Sequence, residues 1–504
     1  METNRRKFLK TGLVSMAGLT LAGKNVAYDR YSRIIGANDS INVAVIGVGE
    51  KLIAPRSHGK SHVQAYKNIP KVNIAAICDV DSNTLDFWLN DLRKENINAK
   101  GYKDLRNLFE NKDIDAVSIV IPNHWHALAT IWACQAGKHV CVEKPASHNI
   151  WEGRKMVEAA RKYDRLVQAD LDSRSNLAFE DAFDYMHKEM GTILLVRIVN
   201  YKRRPSIGKI MGPGTIPSSL DYDIWTGPSA MNPLLRENLR YDWHWQWATG
   251  NGELGNNGPH QLDICRWALR KKTLPGTVFS FGGRYGYEDD GETPNTHVAW
   301  FDYDGIPVIY DSRGLGENPE TDNMDGITVY TASGKKIKHP YSGSANCEIA
   351  FICENGYLLG TTLFDNNGIK VKDFEKSGFG GSQDNFINAL RTGKQDDLKT
   401  DIEEGHLSAC ISHMGNISYQ IGTIQPVENL IKEIKGNSYL YQVYIDMKEH
   451  LEKHGIDLNK EKIVVGKQLT MNSQKERFEG EHSELANLFI KGNYREPFII
   501  PDNV

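Results

Sequence analysis

At 504 residues the chain is longer than one hydrophobic core organises, so two domains with extensions are expected. A hydrophobic share of 40% beside a charged share of 25% is that of a globular protein in water. A net charge of -4 gives no electrostatic reason for a nucleic-acid or anionic-membrane partner.

The N-terminus reads as an address rather than as fold. Asn4-Arg5-Arg6-Lys7-Phe8-Leu9-Lys10 precedes an apolar stretch over residues 12–23. This is the pattern of a twin-arginine export signal, with Asn4 where Ser or Thr is usual. The stretch is too short and too rich in Gly for a stable membrane span. Small residues around Thr20-Leu21-Ala22-Gly23 offer a cleavage site. Residues 1–35 are assigned to signal and linker, and the mature protein is expected in the periplasm, exported already folded with its cofactor loaded. The seven cysteines are odd in number and show no CxxC spacing, which predicts buried apolar residues rather than disulfides or a zinc site.

A β-branched run over residues 41–46 leads into Gly47-Val48-Gly49. Two glycines after a buried strand allow a sharp turn and close approach to a pyrophosphate. The third glycine of that fingerprint is missing at position 52, and Gly59 is expected to take its place after an insertion. A second strand over residues 72–78 ends in Asp79, whose carboxylate suits adenosine ribose hydroxyls and repels a 2′-phosphate, favouring NAD. A further strand ends at Pro122-Asn123-His124-Trp125-His126 and is followed by a helix over residues 127–136, closed by Gly137. The run His139-Val140-Cys141-Val142 then delivers Glu143-Lys144-Pro145. Alternating strands and helices predict parallel crossovers with ligands at the strands' carboxyl ends, where Lys144 can polarise a substrate hydroxyl beside a nicotinamide.

These segments closely resemble the glucose-fructose oxidoreductase / inositol dehydrogenase / MocA (Gfo/Idh/MocA) family. So do Tyr222-Asp223-Ile224-Trp225, Gly252-Glu253-Leu254-Gly255-Asn256-Asn257-Gly258-Pro259-His260-Gln261-Leu262-Asp263 and Tyr494-Arg495-Glu496-Pro497-Phe498. The resemblance covers nearly all of the chain after the signal. It implies an NAD-binding Rossmann domain over residues 40–170, with Gly47, Gly49, Asp79, Pro122, Asn123, His126, Glu143 and Lys144 lining the cofactor. It also implies an α+β substrate and oligomerisation domain over residues 171–425, and residues 426–504 are left as a C-terminal extension. Lys144 and His260 would flank the reacting carbon as the catalytic pair, the imidazole as base and the ammonium stabilising the alkoxide. Many members carry Asp four residues before that His; here it is Asn256, which moves the base role to His260, with support expected from Asp263.

Asn256, Asn257, Asp263 and Arg174 are candidate substrate contacts, joined by Trp243 and His244 in Tyr241-Asp242-Trp243-His244-Trp245-Gln246-Trp247. Period-two tryptophans predict an extended segment showing its rings on one face, suited to a pyranose. His124-x-His126 lacks ligands to complete a metal site, and no metal is expected. Residues 191–374 read as short strands with Gly-rich turns, hence one large, mainly antiparallel sheet. In the family its open face is covered by subunit association, so a dimer or tetramer is expected. Helices return over residues 384–391 and 401–422, and a charged amphipathic helix over residues 439–454.

An exported dehydrogenase has no free NAD pool, so the cofactor must stay bound while hydride returns to a second substrate or to the same sugar. The expectation is oxidation of a ring hydroxyl of a sugar or glycoside, at C3, by tightly held NAD. The alternatives are a redox-neutral NAD-dependent glycosidase, which needs a further base for C2, and a non-catalytic sugar-binding protein.

Overall fold

The computed structural model describes residues 40–504 except 50–57, 237, 317–325, 341–346, 376–377 and 379. The export signal and linker lie outside the described residues. The first unit is built on six parallel strands: β1 (Ile41–Ile46), β2 (Val72–Cys78), β3 (Lys100–Tyr102), β4 (Ala116–Ile119), β5 (His139–Val142) and β6 (Val167–Ala169). Their order is β3-β2-β1-β4-β5-β6, the doubly wound arrangement that opens its ligand crevice between β1 and β4.

Strand β1 shows why the sheet is parallel and internal. Val43 and Val45 pack in one apolar cluster and Ala44 and Ile46 in another, so both faces are buried and the strand is apolar throughout. Crossovers run through α1 (His58–Asn68), α2 (Ser82–Lys94), α3 (Asn123–Gln135) and α4 (Ile150–Lys162). Asp81 starts α2 by accepting from the Asn83 and Thr84 amides.

The second sheet begins at β7 (Ile193–Tyr201). It continues through β8 (Thr277–Gly283), β9 (Thr296–Tyr303), β10 (Ile306–Arg313), β13 (Cys347–Cys353), β14 (Gly356–Leu359), β15 (Thr362–Phe364) and β16 (Lys370–Asp373), while β11 (Ile327–Tyr330) and β12 (Lys336–His339) form a separate hairpin. Pairing is antiparallel apart from β7 beside β10. Period two along β7 divides its side chains. Val196 and Ile198 face a cluster shared with α6 (Gly258–Ala268) and α8 (Ile402–Gln420), whereas Leu195, Val199 and Tyr201 face the opposite side. Preceding these helices are α5 (Gly252–Asn256) and α7 (Ser382–Thr392).

The C-terminal residues are integral to both units. Strands β17 (Thr423–Gln425), β18 (Ile463–Val465), β19 (Leu469–Asn472) and β20 (Arg477–Glu479) extend the large sheet beyond β8. Helices α9 (Val427–Ile434) and α10 (Ser438–Lys453) lay Val427, Leu430, Val443, Met447 and Leu451 on the β7 face carrying Leu195 and Val199. That face is therefore covered by the chain itself, where the resemblance implied a second subunit. Phe498, Ile500 and Val504 return to the α3 side of the first sheet. Among the described residues no helix is long and apolar enough to cross a membrane.

Candidate active site

The crevice at the end of β1 has the shape of a dinucleotide cradle. Gly47 has φ of +85°, and a Cβ there would lie 2.3 Å from the Val120 carbonyl oxygen, so only glycine fits. Gly49 also has positive φ, at +63°. Gly59, inside α1, stands where a Cβ would be 2.1 Å from the Gly47 carbonyl; it provides the close helix-to-turn packing expected of the missing third glycine. Asp79 follows β2 and accepts from the Val48 amide at 3.2 Å and the Asp81 amide at 3.0 Å. Burial pushes its pKa up to about 6 despite these bonds. The donor set fits a dinucleotide: a glycine turn for the pyrophosphate and a carboxylate for ribose hydroxyls.

At the end of β5, Glu143 and Lys144 are held by a network that sequence reasoning missed. His62, three residues past Gly59 on α1, places Nε2 2.9 Å from Asp170 Oδ2 and 3.2 Å from Glu143 Oε1, and Nδ1 2.7 Å from Ser118 Oγ. Burial alone would depress the imidazolium, but Asp170 and Glu143 outweigh it and lift the pKa to about 10. Glu143 also meets His58 Nδ1 at 2.8 Å and accepts from the Lys144 amide at 3.0 Å. Burial raises its carboxyl, yet His58 and His62 override this and hold it well below the ordinary range. Gln383 of α7 donates to Asp170 at 2.7 Å. The signals were present: a His three places after Gly59, and an acid directly after β6.

Pro122 opens α3, and Asn123 donates to Asn251 Oδ1 at 2.9 Å. The His126 ring bridges the Pro145 and Ile121 carbonyls at 2.7 and 2.6 Å, tying the end of β4 to the Lys144 segment. His124 lies beside the Trp225 and Thr249 carbonyls, and burial drops its pKa to about 3.

Lys144 reaches into the second unit. Its Nζ donates to the Asn256 carbonyl at 2.9 Å and to Asn256 Oδ1 at 3.0 Å, and its pKa is lowered, by burial before any charge. His260, on α6, titrates at about 4 because of burial and then the Lys144 charge. It is thus neutral near pH 7, and its ring has no hydrogen-bond partner among the described residues. Asn257 and Asn200 donate to Glu253, which Arg204 also grips at 2.8 and 3.0 Å. Burial raises Glu253, but Arg204 and these donors bring it to about 2.

Two expected contacts are spent on each other. Arg174 makes two 2.8 Å bonds to Asp263 and one of 2.9 Å to Glu404, and Ser408 adds a donor to Asp263. Asp263 makes no bond to His260 and holds α6 against α8 instead.

The tryptophan segment is corrected: Asp242–Trp245 is a 3-10 turn, not extended. Asp242 closes it by binding the Asn238 amide at 3.2 Å, and His244 Nδ1 donates to the Tyr241 carbonyl at 2.6 Å; these side-chain bonds to backbone override the period-two pattern. Trp243 stacks on His244 at 3.6 Å between centroids, whereas Trp245 is buried under Arg204. His244 is pulled down to about 3 by burial, with Lys144 and Arg204 among the charges acting on it.

Two family models match the chain. One, described as an oxidoreductase family with NAD-binding Rossmann fold, covers residues 41–171. The other, described as the C-terminal alpha/beta domain of the oxidoreductase family, covers residues 198–326. Together they span just over half of the chain. A glycosyl hydrolase family 109 protein of Shewanella baltica is 28% identical over 211 residues, covering 38% of this chain and 42% of that protein. An uncharacterized oxidoreductase, YrbE, of Bacillus subtilis is 31% identical over 148 residues, or 29% of this chain and 42% of that one. The chain thus spans about two fifths of the length of these curated relatives. The crystal structure of the WlbA dehydrogenase from Bordetella pertussis, in complex with NADH and UDP-GlcNAcA, is similar with a TM-score of 0.53 at 18% identity, covering 74% of this chain and 95% of that one. At that identity the likeness is one of fold.

Proposed function

Because the chain belongs to the Gfo/Idh/MocA family of NAD-binding oxidoreductases, we propose that it oxidises a ring hydroxyl, at C3, of a sugar or glycoside. One set of observations carries this reading: His260 is neutral with the Lys144 charge acting on it, its ring is unbonded among the described residues, and half-buried Lys144 is bonded to Asn256 of the amide-rich α5. NAD in the glycine cradle supplies the hydride acceptor. His260, titrating at about 4, is ready to take the hydroxyl proton at neutral pH. Lys144 donates to the oxygen as it becomes an alkoxide, and a cation buried in low dielectric is worth more there than in water. Asn256 fixes the ammonium, the His62–Glu143 pair fixes the strand end that carries it, and Trp243 offers a flat ring to a sugar face. Export to the periplasm through the twin-arginine signal, with cofactor retained throughout turnover, completes the proposal; residues 40–170 and 171–425 are its two working domains.

Mass spectrometry of denatured, purified protein tests retention, with NAD(H) expected near one per chain. Sugar-dependent appearance of reduced-cofactor absorbance tests oxidation. A protein that folds, carries nucleotide and gives no signal with any pyranoside would overturn the reading.

A second reading, redox-neutral glycosidase action, is favoured by His244. A carbonyl can only accept, so the bond to Tyr241 places the His244 proton on Nδ1 and leaves Nε2 with a lone pair. This second neutral imidazole, under the influence of Lys144, is the C2 base that the sequence did not reveal. The match to a glycosyl hydrolase family 109 protein supports the same reading. Steady release of aglycone from a chromogenic glycoside by the purified protein alone would establish it, and oxidation without release would exclude it.

A further inference from the structure

The residues that follow β2 are gripped by a segment of the second unit. Asp79 ends that strand at the adenosine side of the crevice, and Val80, Asp81 and Ser82 lead from it into α2. The Ser82 amide and hydroxyl both donate to the Ser219 carbonyl, at 2.9 and 3.1 Å. The Asp221 amide donates to the Val80 carbonyl at 3.1 Å. Asp81 and Leu220 are thereby paired as an antiparallel bridge. Val80 and Leu220 pack against the buried cluster of Trp225, Leu234 and Leu239, so the junction has an apolar side as well as hydrogen bonds.

Arg240 adds a charge to this junction, its Nη2 donating to Asp81 Oδ2. Asp81 is buried, and its Oδ1 accepts from the Asn83 amide at 2.9 Å. The Asp81 amide in turn donates to Asp79 Oδ1 at 3.0 Å, while the Val48 amide of the glycine turn holds Asp79 Oδ2 at 3.2 Å. A chain of bonds therefore runs from Arg240 through Asp81 to the carboxylate that suits the adenosine ribose. Arginine–carboxylate bonds are among the stronger hydrogen bonds, and a buried carboxylate deprived of its cation is unfavourable. We propose that Arg240 is a positioning residue for the cofactor: by fixing Asp81 it fixes Asp79, keeps the second unit docked beside the ribose site, and slows departure of the nucleotide. This rests on the reading above that NAD stays bound through turnover, and it names the contact that keeps it there. Arg240 acts through Asp81 and Asp79 and takes no part in hydride or proton transfer.

For the test, the full-length protein is loaded with NADH, an excess of NAD is added as competitor, and release is followed by nicotinamide fluorescence. Each variant is compared with the parent at a temperature at which its thermal melt shows both folded. Arg240→Gln should release NADH roughly tenfold to a hundredfold faster than the parent, the range of a charge-assisted hydrogen bond. Arg240→Lys keeps the charge and should stay within about threefold of the parent. Ser82→Ala removes one of the two bonds to the Ser219 carbonyl and should quicken release by roughly twofold to tenfold, the range of a neutral hydrogen bond. Either Arg240→Gln or Ser82→Ala releasing NADH at the parent's rate would overturn the proposal, as would equal acceleration in Arg240→Lys and Arg240→Gln. The two readings fail separately, because parent protein purified without nucleotide overturns retention through turnover while the ratio of release rates for added NADH still reports on Arg240.

Discussion

Lys144 Nζ donates to both oxygens of Asn256, the backbone carbonyl at 2.9 Å and Oδ1 at 3.0 Å. A lysine at the end of the parallel sheet is thereby held by a short helix of the second unit, through an amide rather than a carboxylate. Glu253 of the same helix and Glu143 offset only part of its desolvation, and burial lowers its pKa. Asn256→Asp would add the missing negative charge and favour the ammonium, so the alkaline limb of the kcat/KM profile should move to higher pH. Lys144→Ala should reduce kcat/KM by about 10²- to 10⁴-fold. An alkaline limb that stays in place in Asn256→Asp would mean that Lys144 is not the group titrating there.

His260 gives the opposite limb. With its pKa at about 4, activity should hold as pH falls from neutrality and decline near that value, not near the ordinary histidine value of about 6.5. After burial, the Lys144 charge is the next cause of the low value. Lys144→Met removes a repelling cation, makes protonation of His260 easier, and should shift the acid limb of the residual activity upward. An acid limb unmoved by that substitution would separate the two residues.

Much of this site was legible before any coordinates. Buried parallel strands announce themselves by apolar runs, so the positions of Gly47, Asp79 and Lys144 at strand ends followed from pattern. What stayed hidden has a common cause, namely partners distant in sequence. Asp263 looked available to His260 on the same helix, yet Arg174, 89 positions away, takes it. The tryptophan segment looked extended because period two was read without the Asp242 and His244 bonds back to their own backbone. His62 was invisible as a holder of Glu143 because that contact crosses 81 positions.

His62 also predicts a pH-dependent stability. Its folded pKa of about 10 lies above the unfolded value of about 6.5. The folded state therefore binds the proton more tightly, and the stabilisation is complete below about pH 6.5 and fades as pH rises toward about 10. His62→Gln leaves Asp170 without its cation and Glu143 with His58 alone, and should cost on the order of 3 kcal/mol near neutral pH. Thermal melts of both proteins across this window should show the gap between them closing as pH rises. A gap constant with pH would assign His62 a packing role only.

The self-covered sheet face makes a prediction about assembly. Met447 and Leu451 are fully buried on α10, in the same cluster as Leu195, Val199 and Ile352 of the sheet. Such helices are part of the core, and a subunit contact through this face would require their removal. Met447→Ala should destabilise the fold by about 2–5 kcal/mol, the usual range for a cavity left by a large apolar side chain. Any homo-oligomer must then form through another surface, so the sedimentation mass of Met447→Ala should equal that of the parent protein under conditions where both are folded. A variant that dissociates while its melting temperature stays unchanged would reverse the conclusion, because it would place Met447 at a subunit boundary rather than beneath one.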